Sequence, residues 1–352
     1  METIVKQIDD IEKDYNGIEL GGELIRQGKV VAFPTETVYG LGANALDIGA
    51  VEEIFRVKGR PMDNPLIVHI ASIEELYNLV THVPDMAKDL IGRYWPGPLT
   101  LVLPKSDVVP NQVTAGLDTV AIRMPNDPVA LALIRESGVP IAAPSANTSG
   151  RPSPTSARHV MEDLYGKIPL ILDGGECRVG LESTVLDLLG DRATILRPGG
   201  ITKEMIEEAI GEVHVDERVL NPPKTGDKFR SPGMKYTHYA PKAPVIIVEG
   251  ETSDIPSRVK ATAKEYILAG KRVAVLATEE TRNEDEDEDL VIFVMGRRVC
   301  PSTIASNLFA ALRQCDEEGI DLIIAEAIEE THEGLAIMNR MLRAAAFRVV
   351  DA

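Results

Sequence analysis

Basic residues are in short supply in this chain. Its 352 residues include 37 lysines and arginines against 55 aspartates and glutamates, a net charge of −18. Phosphate backbones are gripped by Lys and Arg, so this balance argues against a protein whose main task is holding nucleic acid. A local basic pocket for a small anion is compatible with it. Aromatic residues make up only 4%, which leaves aliphatic side chains to fill most of the core; the hydrophobic fraction of 44% is enough for one. Cysteine is as sparse. Cys177, Cys300 and Cys315 are odd in number and widely spaced, neither a disulfide framework nor a zinc pattern, and read as ordinary thiols. No apolar run reaches the roughly 18 to 20 residues that cross a bilayer. The N-terminal residues are mixed in charge and lack the apolar stretch of a signal peptide. A cytoplasmic protein with no membrane partner is expected.

Familiar site motifs are missing too. The chain has no Walker A sequence, no G-x-G-x-x-G after a strand, no G-x-S-x-G and no H-E-x-x-H. Its six histidines show no metal-ligand spacing. A nucleotide, if bound, would be held by side chains and irregular backbone.

What is present suggests two α/β domains, the first over 1–212 and the second over 244–352, joined by a linker or lid at 213–243. In the first, helical patterns at 21–27, 49–57 and 202–210 alternate with apolar strands at 29–33, 66–70, 99–103, 120–124 and 139–143. Segments 183–188 and 193–196 resemble a hairpin. Ser72 followed by Glu75 reads as a capping box. The linker is rich in loop formers, yet Tyr236, His238 and Tyr239 are unusual in an inert spacer. Beyond it, strands at 245–248, 272–276, 290–294 and 322–325 alternate with helices at 257–269, 303–315 and 335–347. That rhythm implies a parallel sheet covered on both faces. The acidic run 284–289 reads as a solvated loop.

Four polar segments fall at strand ends, where an α/β scaffold presents its chemistry. Pro34-Thr35-Glu36-Thr37-Val38-Tyr39-Gly40-Leu41 carries two hydroxyls, a carboxylate and a glycine. Lys58-Gly59-Arg60-Pro61, followed by Asn64 and a strand bearing His69, suits a polyphosphate clamp; a basic helix end is the plainer alternative. Arg123 ends an apolar strand and needs a partner, either a substrate carboxylate or an internal acid. It is followed by Pro144-Ser145-Ala146-Asn147, whose small residues leave room for a ligand. Ser183-Thr184-Val185, then Arg197, brings hydroxyls and a cation to glycine-rich turns.

Together these segments, in this order and spacing, resemble the YrdC-like family, specifically its two-domain threonylcarbamoyl-AMP synthases. The linker Ser231-Pro232-Gly233-Met234-Lys235-Tyr236-Thr237-His238-Tyr239 resembles the hallmark of the two-domain version. The resemblance covers nearly the whole chain, the C-terminal part more by position than by motif. It implies a twisted YrdC-like α/β sheet around a large concave cavity, plus a smaller Rossmann-like C-terminal domain. It implies an ATP-dependent nucleotidyltransferase that joins L-threonine, bicarbonate or CO2, and ATP into threonylcarbamoyl-AMP with release of pyrophosphate. A separate transferase complex would pass the group to the adenosine beside the tRNA anticodon, so direct tRNA binding should be weak at most.

The resemblance also implies roles. Thr37, His69, Arg123 and Ser183 would hold threonine, with Thr35 beside them and Ala143 lining the pocket. Arg60, Asn64, Thr119, Ser145, Ser153 and Arg197 would contact ATP. Lys58 and Asn147 would face the phosphates or the reacting carbamate, and Lys58 and Arg60 are the catalytic candidates. Tyr236 or Tyr239 would cap the nucleotide, or else pack between the domains. Mg2+ would be held mainly by the ATP phosphates, with no protein metal site. Other readings are an RNA-binding or regulatory module, a carbamoyl-transfer enzyme of the hydrogenase-maturation kind, and a threonine or nucleotide sensor without turnover. The acidity weighs against the first; the second has acylphosphatase-like and zinc-finger regions that this sequence lacks.

Overall fold

A computed structural model describes all residues except 1, 191, 223–230, 232–237 and 283–288. The acidic run, save Asp289, and much of the linker with Tyr236 lie outside the described residues. The chain forms two compact units. Among the described residues no helix is long and apolar enough to cross a membrane.

The first unit runs β1 (Ile4–Gln7), α1 (Tyr15–Arg26), β2 (Val31–Phe33), β3 (Gly40–Asn44), α2 (Ile48–Lys58), β4 (Ile67–His69), α3 (Ile73–Leu79), α4 (Asp85–Tyr94), β5 (Leu99–Pro104), α5 (Asn111–Thr114), β6 (Thr119–Arg123), α6 (Pro128–Ser137), β7 (Ile141–Ala142), α7 (Ala157–Leu164), β8 (Leu170–Asp173), β9 (Thr184–Asp187), β10 (Thr194–Arg197), α8 (Lys203–Ile210) and β11 (His214–Val215). Its strands make one mixed sheet in the order β1-β8-β2-β3-β7-β4-β6-β5-β9-β10-β11. β9 and β10 pair antiparallel, as the hairpin pattern predicts. β11 extends the sheet into the stretch read as linker, pairing parallel with β10.

Two local findings matter for the site. Helix α2 is capped at its start by Asp47, whose carboxylate accepts the Gly49 and Ala50 amides, and ends at Gly59 in the left-handed conformation, φ 63°. That stop places Lys58 in the last turn and sends Arg60 off the helix. Strand β3, Gly-Leu-Gly-Ala-Asn, has little β propensity, but Gly42 lets Ile141 and Phe33 close over it: a Cβ there would lie 2.6 Å from the Ile141 Cγ2 and 2.7 Å from the Phe33 Cε1. The capping box before α3 does not form as expected. The Ser72 hydroxyl caps nothing, and Glu75 reaches past it to the Ala71 amide at 3.3 Å.

The second unit holds β12 (Val245–Glu249), α9 (Ile255–Leu268), β13 (Val273–Ala277), β14 (Leu290–Val294), α10 (Pro301–Glu317), β15 (Leu322–Glu326), α11 (Glu333–Ala344) and β16 (Val349–Asp351). Its sheet has the order β14-β13-β15-β12-β16 and every pairing is parallel. The alternating rhythm of the sequence is thus realised as a doubly wound α/β layer. β13 is buried at all five positions, which is why it reads as an uninterrupted apolar run.

Candidate active site

The parallel pairing of β4 with β6 sets His69 directly beside Arg123. Both are buried. Arg123 is held on three sides: its Nε donates to the Gly97 carbonyl at 3.2 Å, its Nη1 to the Thr37 hydroxyl at 2.9 Å, and its Nη2 lies 2.7 Å from a Glu36 carboxylate oxygen. That last contact is an ion pair in distance but does not lie along an N–H bond, so neither Nη2 nor the Glu36 oxygens has a hydrogen-bond partner. Glu36 is the internal acid whose presence the sequence left open. Its placement between Thr35 and Thr37 was the available signal, because a buried guanidinium demands a nearby counter-charge.

His69 is neutral. Burial, and then the Arg123 charge, push it down to about 3, and its Nδ1 has no partner. The Thr35 hydroxyl serves its own loop, accepting the Thr37 and Val38 amides at 3.2 Å each and meeting the Thr37 hydroxyl at 2.8 Å. Ser183 lies immediately before β9, its Oγ 2.8 Å from the Thr100 hydroxyl. Arg197 donates from Nε and Nη2 to the Ser183 carbonyl at 3.2 and 3.0 Å, and from Nη2 to the Ser183 Oγ at 3.2 Å. Arg197 therefore braces Ser183. Ala143 follows β7, buried, with its amide on the Ile67 carbonyl at 2.9 Å.

The cationic segment is bound into a second constellation. Lys58 donates to the carbonyls of Ser145 and Asn147, and its own carbonyl accepts the Ser149 amide at 3.0 Å. The Ser145 hydroxyl donates to the Asn147 Oδ1 at 2.5 Å. Arg60 donates to the Asn64 and Pro65 carbonyls at 3.3 and 3.0 Å, and the buried Asn64 amide nitrogen has no partner. Ser153 donates to the Glu182 carboxylate. Lys58 and Arg60 thus shape the two loops that flank them, a more definite role than a macrodipole-compensating helix end.

One expected site residue of the first unit stands apart. Thr119 begins β6, four residues before Arg123, about 13 Å away at the rise of a strand. A ligand touching both would have to be extended. Tyr239 belongs to the second unit, buried, with its ring stacked on Phe309 at 5.2 Å and the Arg340 guanidinium 5.7 Å from its centroid. Tyr236 lies outside the described residues.

Comparisons with known proteins bear on the family and the fold. Residues 23–199 match the family model described as telomere recombination, and residues 201–346 match the one described as threonylcarbamoyl-AMP synthase, C-terminal domain. The threonylcarbamoyl-AMP synthase of Pyrococcus abyssi is 53% identical over 95% of this chain and 95% of its own. That of Bacillus subtilis is 53% identical over 97% of this chain and 96% of its own. The crystal structure of P. abyssi Sua5 complexed with L-threonine has a TM-score of 0.93 and 50% identity to this chain, covering 99% of it and 100% of the solved chain. The two family models match one after the other along the sequence, and the chain belongs to the two-domain threonylcarbamoyl-AMP synthase family.

Proposed function

We propose that the protein makes L-threonylcarbamoyl-AMP and pyrophosphate from L-threonine, bicarbonate and ATP. The observation that carries this reading is the buried Arg123, braced by Thr37, Gly97 and Glu36 and flanked by a neutral histidine, in a chain of this family. Such a guanidinium is positioned for an amino-acid carboxylate. Neutral His69 and Ser183 offer uncharged polar groups for the threonine side chain. The Lys58–Arg60 loops, with Asn64, Ser145 and Asn147, supply the cations and amides for the triphosphate.

The chemistry asks mainly for positioning. A threonine carbamate is labile in water, so an enclosed site protects it while one of its oxygens attacks the α-phosphate. Lys58 and Arg60 would offset the charge that builds there. Mg2+ would stay on the phosphates. The donors near the clamp are cations, amides and hydroxyls, groups suited to the phosphates that would carry the ion. Thr119, Ser153 and Arg197 belong to the ATP side of this reading, and Tyr236 and Tyr239 to a lid. The product would pass to a tRNA-modifying transferase complex in the cytoplasm.

The test is pyrophosphate release with ATP, Mg2+, threonine and bicarbonate. Release should fall to background when either threonine or bicarbonate is withheld. Release that ignores both would overturn the reading; nucleotide binding without release would favour a sensor.

A further inference from the structure

Resting on that reading, we infer that Glu36 is the residue that recognises the substrate's α-ammonium group, so that the site selects a zwitterionic amino acid over any simple carboxylate. Three observations lead there. Glu36 is 3% exposed, and neither of its carboxylate oxygens receives a hydrogen bond. Arg123, 3% exposed, has an Nη2 that donates none. The two groups nonetheless touch at 2.7 Å. A buried carboxylate lacking donors and a buried guanidinium nitrogen lacking an acceptor, side by side, form a paired demand. An α-amino acid meets both at once. Its carboxylate accepts from Arg123, and its ammonium, on the adjacent carbon, donates to Glu36.

Charge balance makes this a selection rule. The Glu36–Arg123 pair is neutral as a unit. A bare carboxylate entering it would leave one uncompensated buried negative charge, which is costly, whereas a zwitterion adds none. Other charged groups act nearby, among them the buried Arg197 on the Ser183 hydroxyl. Asp127 is pushed up to about 6 by burial, with Glu36 adding to the rise, and Arg178 acts on it in the opposite direction.

The experiment is calorimetric titration of the full-length protein with L-threonine, with 3-hydroxybutyrate (threonine without its amine) and with threoninol (threonine without its carboxylate). The wild type should bind threonine at least about tenfold more tightly than either analogue, since each leaves one buried charge without its partner. Glu36→Gln, matched in shape, should lose about tenfold or more in threonine affinity while its discrimination against 3-hydroxybutyrate collapses toward unity. Glu36→Asp, which keeps the charge on a shorter arm, should retain that discrimination. A folded Glu36→Gln variant that keeps the wild-type ratio overturns the inference. So does a wild type that binds 3-hydroxybutyrate as tightly as threonine, whatever the variants do. Failure of the wild type to bind threonine at all is a different result, and removes the underlying functional reading.

Discussion

Gly199 offers a stringent test of how the Ser183 loop is held. It lies two residues beyond Arg197, and a Cβ built on it would come within 3.0 Å of the Glu182 carbonyl oxygen, the Thr184 amide nitrogen and the Ser183 carbonyl carbon. All three are backbone, so no side-chain rotation relieves the clash. In Gly199→Ala the two segments must separate by about an ångström to reach ordinary contact distances. Overpacking of this kind costs about 1–3 kcal/mol. At roughly 2–4 °C per kcal/mol for a domain of this size, Tm should fall by about 2–12 °C. The movement would also carry Ser183 away from Thr100 and Arg197. Misplacement by about an ångström can cost on the order of a hundredfold in rate, so kcat/KM for threonine should drop by one to two decades, about 1.4 kcal/mol for each. Scanning calorimetry and steady-state pyrophosphate release give both readouts. Gly92→Ala serves as the control, because Gly92 is exposed within α4 and its Cβ would meet nothing within 4 Å. It should stabilise the fold by up to about 1 kcal/mol. A Gly199→Ala variant with unchanged Tm and kcat/KM would refute the close approach of these two segments.

Arg60→Ala should lower kcat/KM for ATP by about two decades. It should also lose about 1–3 kcal/mol of stability, because the Asn64 and Pro65 carbonyls lose their donor; urea titration beside turnover separates the two losses. His69 gives a pH signature. Its folded value lies below its unfolded one, so its contribution to stability is complete above about pH 6.5 and is lost as pH falls toward about 3, at about 1.4 kcal/mol per unit. Asp127, raised to about 6, acts in the opposite sense, favouring the fold as pH falls from about 6 toward 3.8. In an Asp127→Asn background, His69→Gln should therefore flatten the acid limb of stability measured by denaturant; an unchanged slope would contradict the burial of a neutral imidazole. Cys177 is buried and its thiol is pushed well up by that burial, so alkylation at pH 8 followed by mass spectrometry should find Cys300 modified long before Cys177.

The second unit was readable because its strands are buried on both faces and so appear as unbroken apolar runs such as Val273–Ala277. The first unit hid more. β3 is glycine-rich, and β1 is a partly exposed edge strand with the pattern of neither a buried nor a half-buried strand. Their pairing is set by partners far along the chain, for instance Leu170 opposite both Ile4 and Val31. In the site, Thr37, His69, Arg123 and Ser183 stood at legible strand ends. Glu36 did not stand out, because a carboxylate in a polar loop reads as solvent-facing until the fold shows that a guanidinium has been buried against it. Lys58 and Arg60 were legible as cations but not as loop braces: their carbonyl partners carry no sequence signal.

The Lys58 brace has a consequence for how the molecule comes into being. Its ammonium group fastens a loop 87 positions further along, and the Ser183–Arg197 contact forms later still. A chain emerging from the ribosome has its first cations in place early, yet no organised clamp until residue 147 has arrived and no complete amino-acid site until residue 197. Closing contacts over such sequence distances is slow compared with forming a helix. Competence for turnover should thus appear abruptly and late, so that a stalled or truncated product of the first domain is inert toward both substrates.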